Sequence, residues 1–497
     1  MPLESDTPPG ALHDWPATAM LTAFRAKTLS PVEVITSVLA QVDRWEPQLR
    51  ATYLLRPEAA LAQARASEAR WMRGEPLGLL DGIPVTIKDN IATLGDPSPL
   101  GSAASVLVPA PQNAPPAERL AESGSVFFAK TTMPDFGMLT SSVSSFHALT
   151  RNPWDVSKTP GGSSSGAAAA AAAGYGPLHI GTDIGGSLRL PASWCGVYSL
   201  KPSLGRLPID PPYIGRSAGP ITRSVADAAL VMQLLSQPDG RDAMGLPPAD
   251  IDWASLHGIG TVTAASAETR GAPSLEQRDA NCLHKLRGLR LGLLLDAGCG
   301  LPVDPQVLMV ITHAATLFEA AGAVIEPVPA FLTADMLLGM DHAWRMRCLV
   351  DMAQLHPDQQ QRVLPYIAQW ANSAKDFDGP HTFRAFHQFH ATRVATARAC
   401  QAFDYVLSPV APCVAPAAER HMPTDDPLRS MEHIAFTVPF NMSEQPAASI
   451  HAGFTAQGLP IGLQIAGRRF DDLGVLQVCR SFELLRGPQR AWPSPAP

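Results

Sequence analysis

The stretch LRLGLLLDAGCGLPVDPQVLMVITHAATLFEAAGAVIEP, residues 289–327, decides the fold class. Leu289 to Leu295 is a short apolar run that reads as a strand, Pro305 to Ala321 as a helix, and Ala323 to Pro327 as strand again. Strand, helix and strand in that order form a β-α-β unit, the mark of a parallel or mixed sheet.

The flanking sequence extends this unit on both sides. From Ala330 to Phe403 the pattern is helical with little strand signal, and strands return at Asp404–Ser408, Ala447–Ile450 and Leu459–Ile465. On the other side, Pro238 to Gly288 mixes Pro, Gly, Asp and Ser and reads as a long irregular connection. Ser224 to Gln237 reads as a helix capped by Ser224, and Ala167 opens a buried alanine helix followed by a strand at Leu178–Ile180. Strands are expected at Ile83–Ile87 and Ser125–Ala129, and helices at Glu58–Arg73 and Pro31 to about Val42. The last of these is marked by the capping box Ser30–Glu33 with proline at its first position. The reading is one large α/β domain over residues 15–497, its mixed central sheet flanked by helices in an α/β/α sandwich. Residues 1–14 read as a loose tail and about 330–403 as a helical, pocket-forming insertion.

Composition narrows the function classes. A formal net charge of −7, with basic residues scattered, argues against a nucleic-acid surface or a polybasic membrane anchor. Seven cysteines at 195, 282, 299, 348, 400, 413 and 479 include no CxxC pair, so neither a disulfide framework nor a structural zinc site is expected and the cytoplasm is the simplest location. The start, MPLESDTPPGALHDWP, lacks the basic and apolar regions of a signal peptide, and the apolar run Ala167–Ala173 is too short to span a bilayer.

Three segments carry chemistry: LLDGIPVTIKDN with Lys88, TPGGSSSGAAAA with Ser163, and HIGTDIGGSLRLPASWCG with Ser187. In the last, two adjacent glycines let the backbone N–H groups from Ile184 through Ser187 turn toward one oxygen beside a hydroxyl, although a tight turn looks the same. GGSSSG has the composition of a flexible linker, but it lies between Trp154 and a buried helix, where a linker has no purpose. It also contains G-x-S-x-G centred on Ser164, yet Ser157–Pro160 is not the strand that a nucleophile elbow needs. Lys88 alone reads as a surface lysine. As a base it needs its pKa brought from about 10.4 toward neutrality, which burial beside hydroxyls achieves, with Asp89 pointing the other way along the strand.

In order and offset these residues resemble the amidase signature enzymes, which use a Ser-Ser-Lys triad. The segments AKTTMPDFG, RNPWD, GPITRSVADAAL, DYVLSPVAP and GLPIGLQIAG fall in the family's order as well, from about Trp15 to Phe482. The resemblance implies Ser187 as the acylated nucleophile, Ser163 as the bridging serine after a cis Gly162–Ser163 peptide, and Lys88 as the base. It implies an oxyanion hole from the N–H groups of Ile184, Gly185, Gly186 and Ser187, with Ser164, Asp183 and Arg189 bracing the loops. Met138 and Leu139 fall where members line the substrate channel, and Gly205–Ser217 reads as a lid or as a plain surface loop. Thr132, Ser443–Pro446 and His451 depart from the family pattern and put the shape of the pocket in question.

The function expected is hydrolysis of small to medium apolar or aryl amides, extending to carbamates or anilides, by a monomer or homodimer acting on an amide and water. No cofactor or metal is required by any step. The alternatives are the glutamine-hydrolysing subunit of a tRNA-dependent amidotransferase and a thiol enzyme built on Cys195. Against the former, Leu207-Pro-Ile-Asp stands where those subunits carry a tyrosine-glycine stretch.

Overall fold

A computed structural model describes residues 10–259 and 274–495. Its centre is an eleven-stranded mixed sheet in the order β1-β3-β2-β4-β6-β5-β10-β11-β9-β7-β8. The first six strands are β1 (Thr52–Leu55), β2 (Pro84–Lys88), β3 (Val126–Thr131), β4 (Leu178–Asp183), β5 (Tyr198–Lys201) and β6 (Ser217–Thr222). The rest are β7 (Arg290–Leu293), β8 (Val324–Pro327), β9 (Tyr405–Pro409), β10 (Ala447–Phe454) and β11 (Pro460–Ala466). The β-α-β unit of residues 289–327 is present as β7, a helix over Pro305–Ala320 and β8, with β7 and β8 parallel.

Both faces of the sheet are covered, and alternate side chains show it. Leu407, Ala448 and Ile465 join one apolar core, while their neighbours Val406, Ala447 and Ala466 join a second on the opposite face. The first core takes in the helices Ala17–Arg25, Pro31–Leu49 and Asp472–Leu485, and the second takes in Ala334–Ala353 and Pro365–Asn372. Four helices lie between Ala334 and Cys400.

Three expectations need correction. The helix from Pro31 runs to Leu49, past Val42 and through Pro47, because its apolar stripe continues with Trp45 and Leu49. The connection 238–288 contains helices at Ala254–His257 and Leu275–Lys285, the second started by a capping box of Ser274 and Gln277; residues 260–273 of this connection lie outside the described residues. Within the stretch expected to be a loose tail, Leu12–Asp14 form a 3₁₀ turn, and Asp14 pairs with Arg223 at 2.5 Å. Residues 1–9 lie outside the described residues.

Candidate active site

The site forms at the carboxyl ends of β2 and β4, which pair in parallel through Ile87 and Ile180 and so end on the same edge of the sheet. That edge is where open α/β sheets hold ligands. Lys88 is the last residue of β2 and is fully buried. Its Nζ donates to Ser163 Oγ at 2.9 Å, Ser164 Oγ at 3.0 Å and Thr182 Oγ1 at 3.2 Å. Among the described residues, three neutral hydroxyls receive the amine and no carboxylate does.

Burial, helped by the Arg216 charge and opposed by those of Asp183 and Asp89, brings the Lys88 pKa from 10.5 to about 7. Asp89 does point away, accepting from the Leu100 and Gly101 N–H groups and lying 2.8 Å from His147 Nε2.

Ser163 and Ser164 precede the helix Ser165–Ala173, whose residues are all buried. The run of alanines permits that depth, and at Gly166 a Cβ would collide with the Ala51 carbonyl. The Gly162–Ser163 peptide is cis. The Ser164 N–H donates to the Ser187 carbonyl at 3.2 Å and so ties the two serine loops together.

The second loop is braced from beneath by Asp183 and Arg189, both fully buried. Arg189 donates to both Asp183 oxygens at 3.0 Å, to Asn441 Oδ1 at 2.6 Å, to Gln464 Oε1 at 2.8 Å and to the Thr437 carbonyl at 2.9 Å. Burial alone raises the Asp183 pKa, but the Arg189 charge and hydrogen bonds overcome it and hold the carboxyl far below the ordinary range. Thr437 Oγ1 donates to the Gly185 carbonyl at 2.6 Å.

Of the four amides expected to converge on one oxygen, that of Gly186 is engaged elsewhere. It donates to Asp183 Oδ1 at 2.7 Å, and Gly186 is buried. Ile184, Gly185 and Ser187 are partly exposed and line a cavity together with Met138, Leu139 and Trp344. Met138 and Leu139 thus lie on the wall facing the serine loop. Ser187 Oγ has no hydrogen-bond partner among the described residues.

Several residues of the site went unread in the sequence. Thr182 holds the lysine, and Thr437, Asn441 and Gln464 anchor the loop from about 250 residues away. Thr182 lies on β4 directly before Asp183, within the quoted segment HIGTDIGGSLRLPASWCG; the other three have no local signature. Cys195, the alternative nucleophile, is buried, its Sγ lies 3.4 Å from the Pro160 carbonyl, and burial pushes its thiol far above the ordinary range. Among the described residues no group of His, Cys, Asp or Glu is arranged to hold a metal ion, and no helix is long and apolar enough to cross a membrane.

The chain is similar to known proteins over nearly its whole length. The Amidase family profile matches residues 33–476. A glutamyl-tRNA(Gln) amidotransferase subunit from Chloroflexus aggregans is 32% identical, covering 95% of this chain and 96% of that protein. Its counterpart in Ralstonia nicotianae is 33% identical over 92% of this chain and 95% of its own. Among solved structures, a bacterial aryl acylamidase of the amidase signature family superposes with a TM-score of 0.82 at 28% identity, covering 95% of this chain and 96% of its own. Fold, lysine-serine geometry and full-length similarity place this chain in the amidase signature family.

Proposed function

We propose that the chain is a free-standing amidase that cleaves apolar or aryl amides, and by the same steps anilides or carbamates, through a serine acyl-enzyme. Ser187 attacks the carbonyl carbon and passes its proton to Ser163, whose own proton goes to neutral Lys88. Lys88 then returns a proton through Ser163 to the departing nitrogen. Water repeats the sequence on the acyl-enzyme and releases the acid. The amides of Ile184, Gly185 and Ser187 receive the oxyanion, while that of Gly186 holds Asp183.

The observation that carries this reading is the buried Lys88, bound to Ser163 by a 2.9 Å hydrogen bond, with no carboxylate among the described residues beside it to keep it charged. The Ser163 to Ser187 contact closes when substrate binds, since catalytic hydrogen bonds commonly tighten in the complex. The apolar lining, with Met138, Leu139, Leu190, Trp344 and Ile434, supports an apolar substrate over glutamine.

A second reading has a specific observation behind it: the similarity at 32% identity to amidotransferase subunits. On that reading the chain releases ammonia from glutamine within a complex. The two separate cleanly in one experiment. Purified chain, without partners, is assayed on acetanilide, a carbamate and glutamine, with fluorophosphonate labelling of Ser187. Partner-free anilide hydrolysis and labelling support the free amidase. Glutamine turnover that appears only with partner subunits overturns it.

A further inference from the structure

Among the described residues, Arg347 is the one charged side chain lining the catalytic cavity. It stands on the helix Ala334–Ala353 and also lines an adjoining cavity with Phe136, Cys348 and Leu355, so its side chain sits where the two spaces meet. Two contacts position the guanidinium. Its carbon lies 4.5 Å from the Tyr213 ring centre, and its Nε donates to Asp351 Oδ2 at 3.5 Å, one helical turn away.

Neither contact uses the far edge of the fork. Among the described residues Nη1 and Nη2 of Arg347 have no hydrogen-bond acceptor, and Asp351, 66% exposed, is a screened and weak partner. Arg216, on the segment that carries Tyr213, donates to the Pro211 carbonyl at 3.1 Å and has no ion pair among the described residues. Among the described residues, Arg347 thus brings the one cation to a largely apolar lining. A guanidinium held by stacking, with both terminal amino groups open, is pre-organised for bidentate contact with a planar anion.

We propose that Arg347 recognises a carboxylate carried by the amide substrate, so that the preferred substrates have an apolar or aryl body and an acidic end. This rests on the amidase reading above and refines it. The α-carboxylate of glutamine shares the same chemistry and is therefore one arm of the test.

kcat/KM is measured for two matched pairs, succinanilate against butyranilide and 4-acetamidobenzoate against acetanilide, and for glutamine, with wild type, Arg347→Gln and Arg347→Lys. The acid-to-neutral ratio of at least one pair is expected to fall about ten- to a hundredfold in Arg347→Gln and to recover partly in Arg347→Lys. Ratios that stay within about threefold in both pairs, while neutral anilides still turn over, overturn the assignment of Arg347. Should Arg347→Gln fail to fold, inhibition of the wild type by 4-phenylbutyrate but not by 4-phenylbutanol supports the assignment, and equal inhibition overturns it. Glutamine preferred over both acids, with the same loss in Arg347→Gln, supports the carboxylate contact but overturns the apolar body. No turnover of any compound by the wild type overturns the amidase reading itself.

Discussion

The proton inventory of Lys88 gives the sharpest test of the mechanism. The base must be neutral to accept a proton from Ser163, and its pKa lies at about 7 instead of 10.5. Near pH 7 about half of the molecules therefore hold a neutral Lys88, against roughly 0.03% for an ordinary lysine, a gain on the order of a thousandfold in competent enzyme. kcat/KM on an anilide should rise about tenfold per pH unit up to about 7 and then level, leaving roughly one hundredth of the plateau at about pH 5. Arg216 is a cation that lowers the Lys88 pKa, so Arg216→Met removes the repulsion and should move this acid limb to higher pH. A profile that is flat between about pH 5.5 and 8.5, or whose limb is centred near about 10.5, would refute the assignment of Lys88 as base.

The same shift predicts a stability effect. The folded pKa lies below the unfolded value, so between about 7 and 10.5 the unfolded chain binds the extra proton, and wild-type stability rises as pH climbs through that window. Below about 7 the whole penalty is present, roughly 5 kcal/mol at about 1.4 kcal/mol per pH unit. Lys88→Met should therefore melt above wild type near pH 6 and lose that advantage by about pH 10, read by thermal denaturation. Ser187→Ala should abolish both turnover and fluorophosphonate labelling while keeping the native circular dichroism; residual labelling at another serine would displace the nucleophile. Asp183→Asn leaves the Arg189 charge buried without its partner and should cost about 3–5 kcal/mol, seen as a lower melting temperature. In Gly186→Ala the new Cβ would lie 2.6 Å from Leu190 Cδ1 and 2.7 Å from Thr437 Oγ1, at a φ of +128°. The loop must then shift, and kcat should fall on the order of a hundredfold or more in a folded protein.

Local chemistry made much of the fold legible. Ser30, Pro31 and Glu33 announce a helix start because cap and first turn are satisfied within four residues, and the structure contains that capping box. The same rule applied to Ser274 and Gln277 announces the helix Leu275–Lys285, which the surrounding Pro, Gly and Ser residues disguised as a loop. The helix from Pro31 is expected to end at about Val42, yet burial of Trp45 and Leu49 carries it on through Pro47, where near a C-terminus proline removes a single hydrogen bond. At the site, Lys88, Ser163 and Ser187 stand out because glycine-rich loops and a strand end frame them. Asn441 and Gln464 do not, since nothing near them shows that a guanidinium from residue 189 arrives there.

That guanidinium also ties the serine loop to segments that come much later in the chain. Lys88, Ser163 and Ser187, the residues proposed to act, all precede Arg189, which is fully partnered only once residues 437, 441 and 464 have arrived. During synthesis, while a domain emerges from its N-terminus, the nascent chain carries the proposed nucleophile and base without that clamp. On the proposed mechanism, the clamp that aims the site is complete only once residue 464 has been added, 275 positions after Arg189.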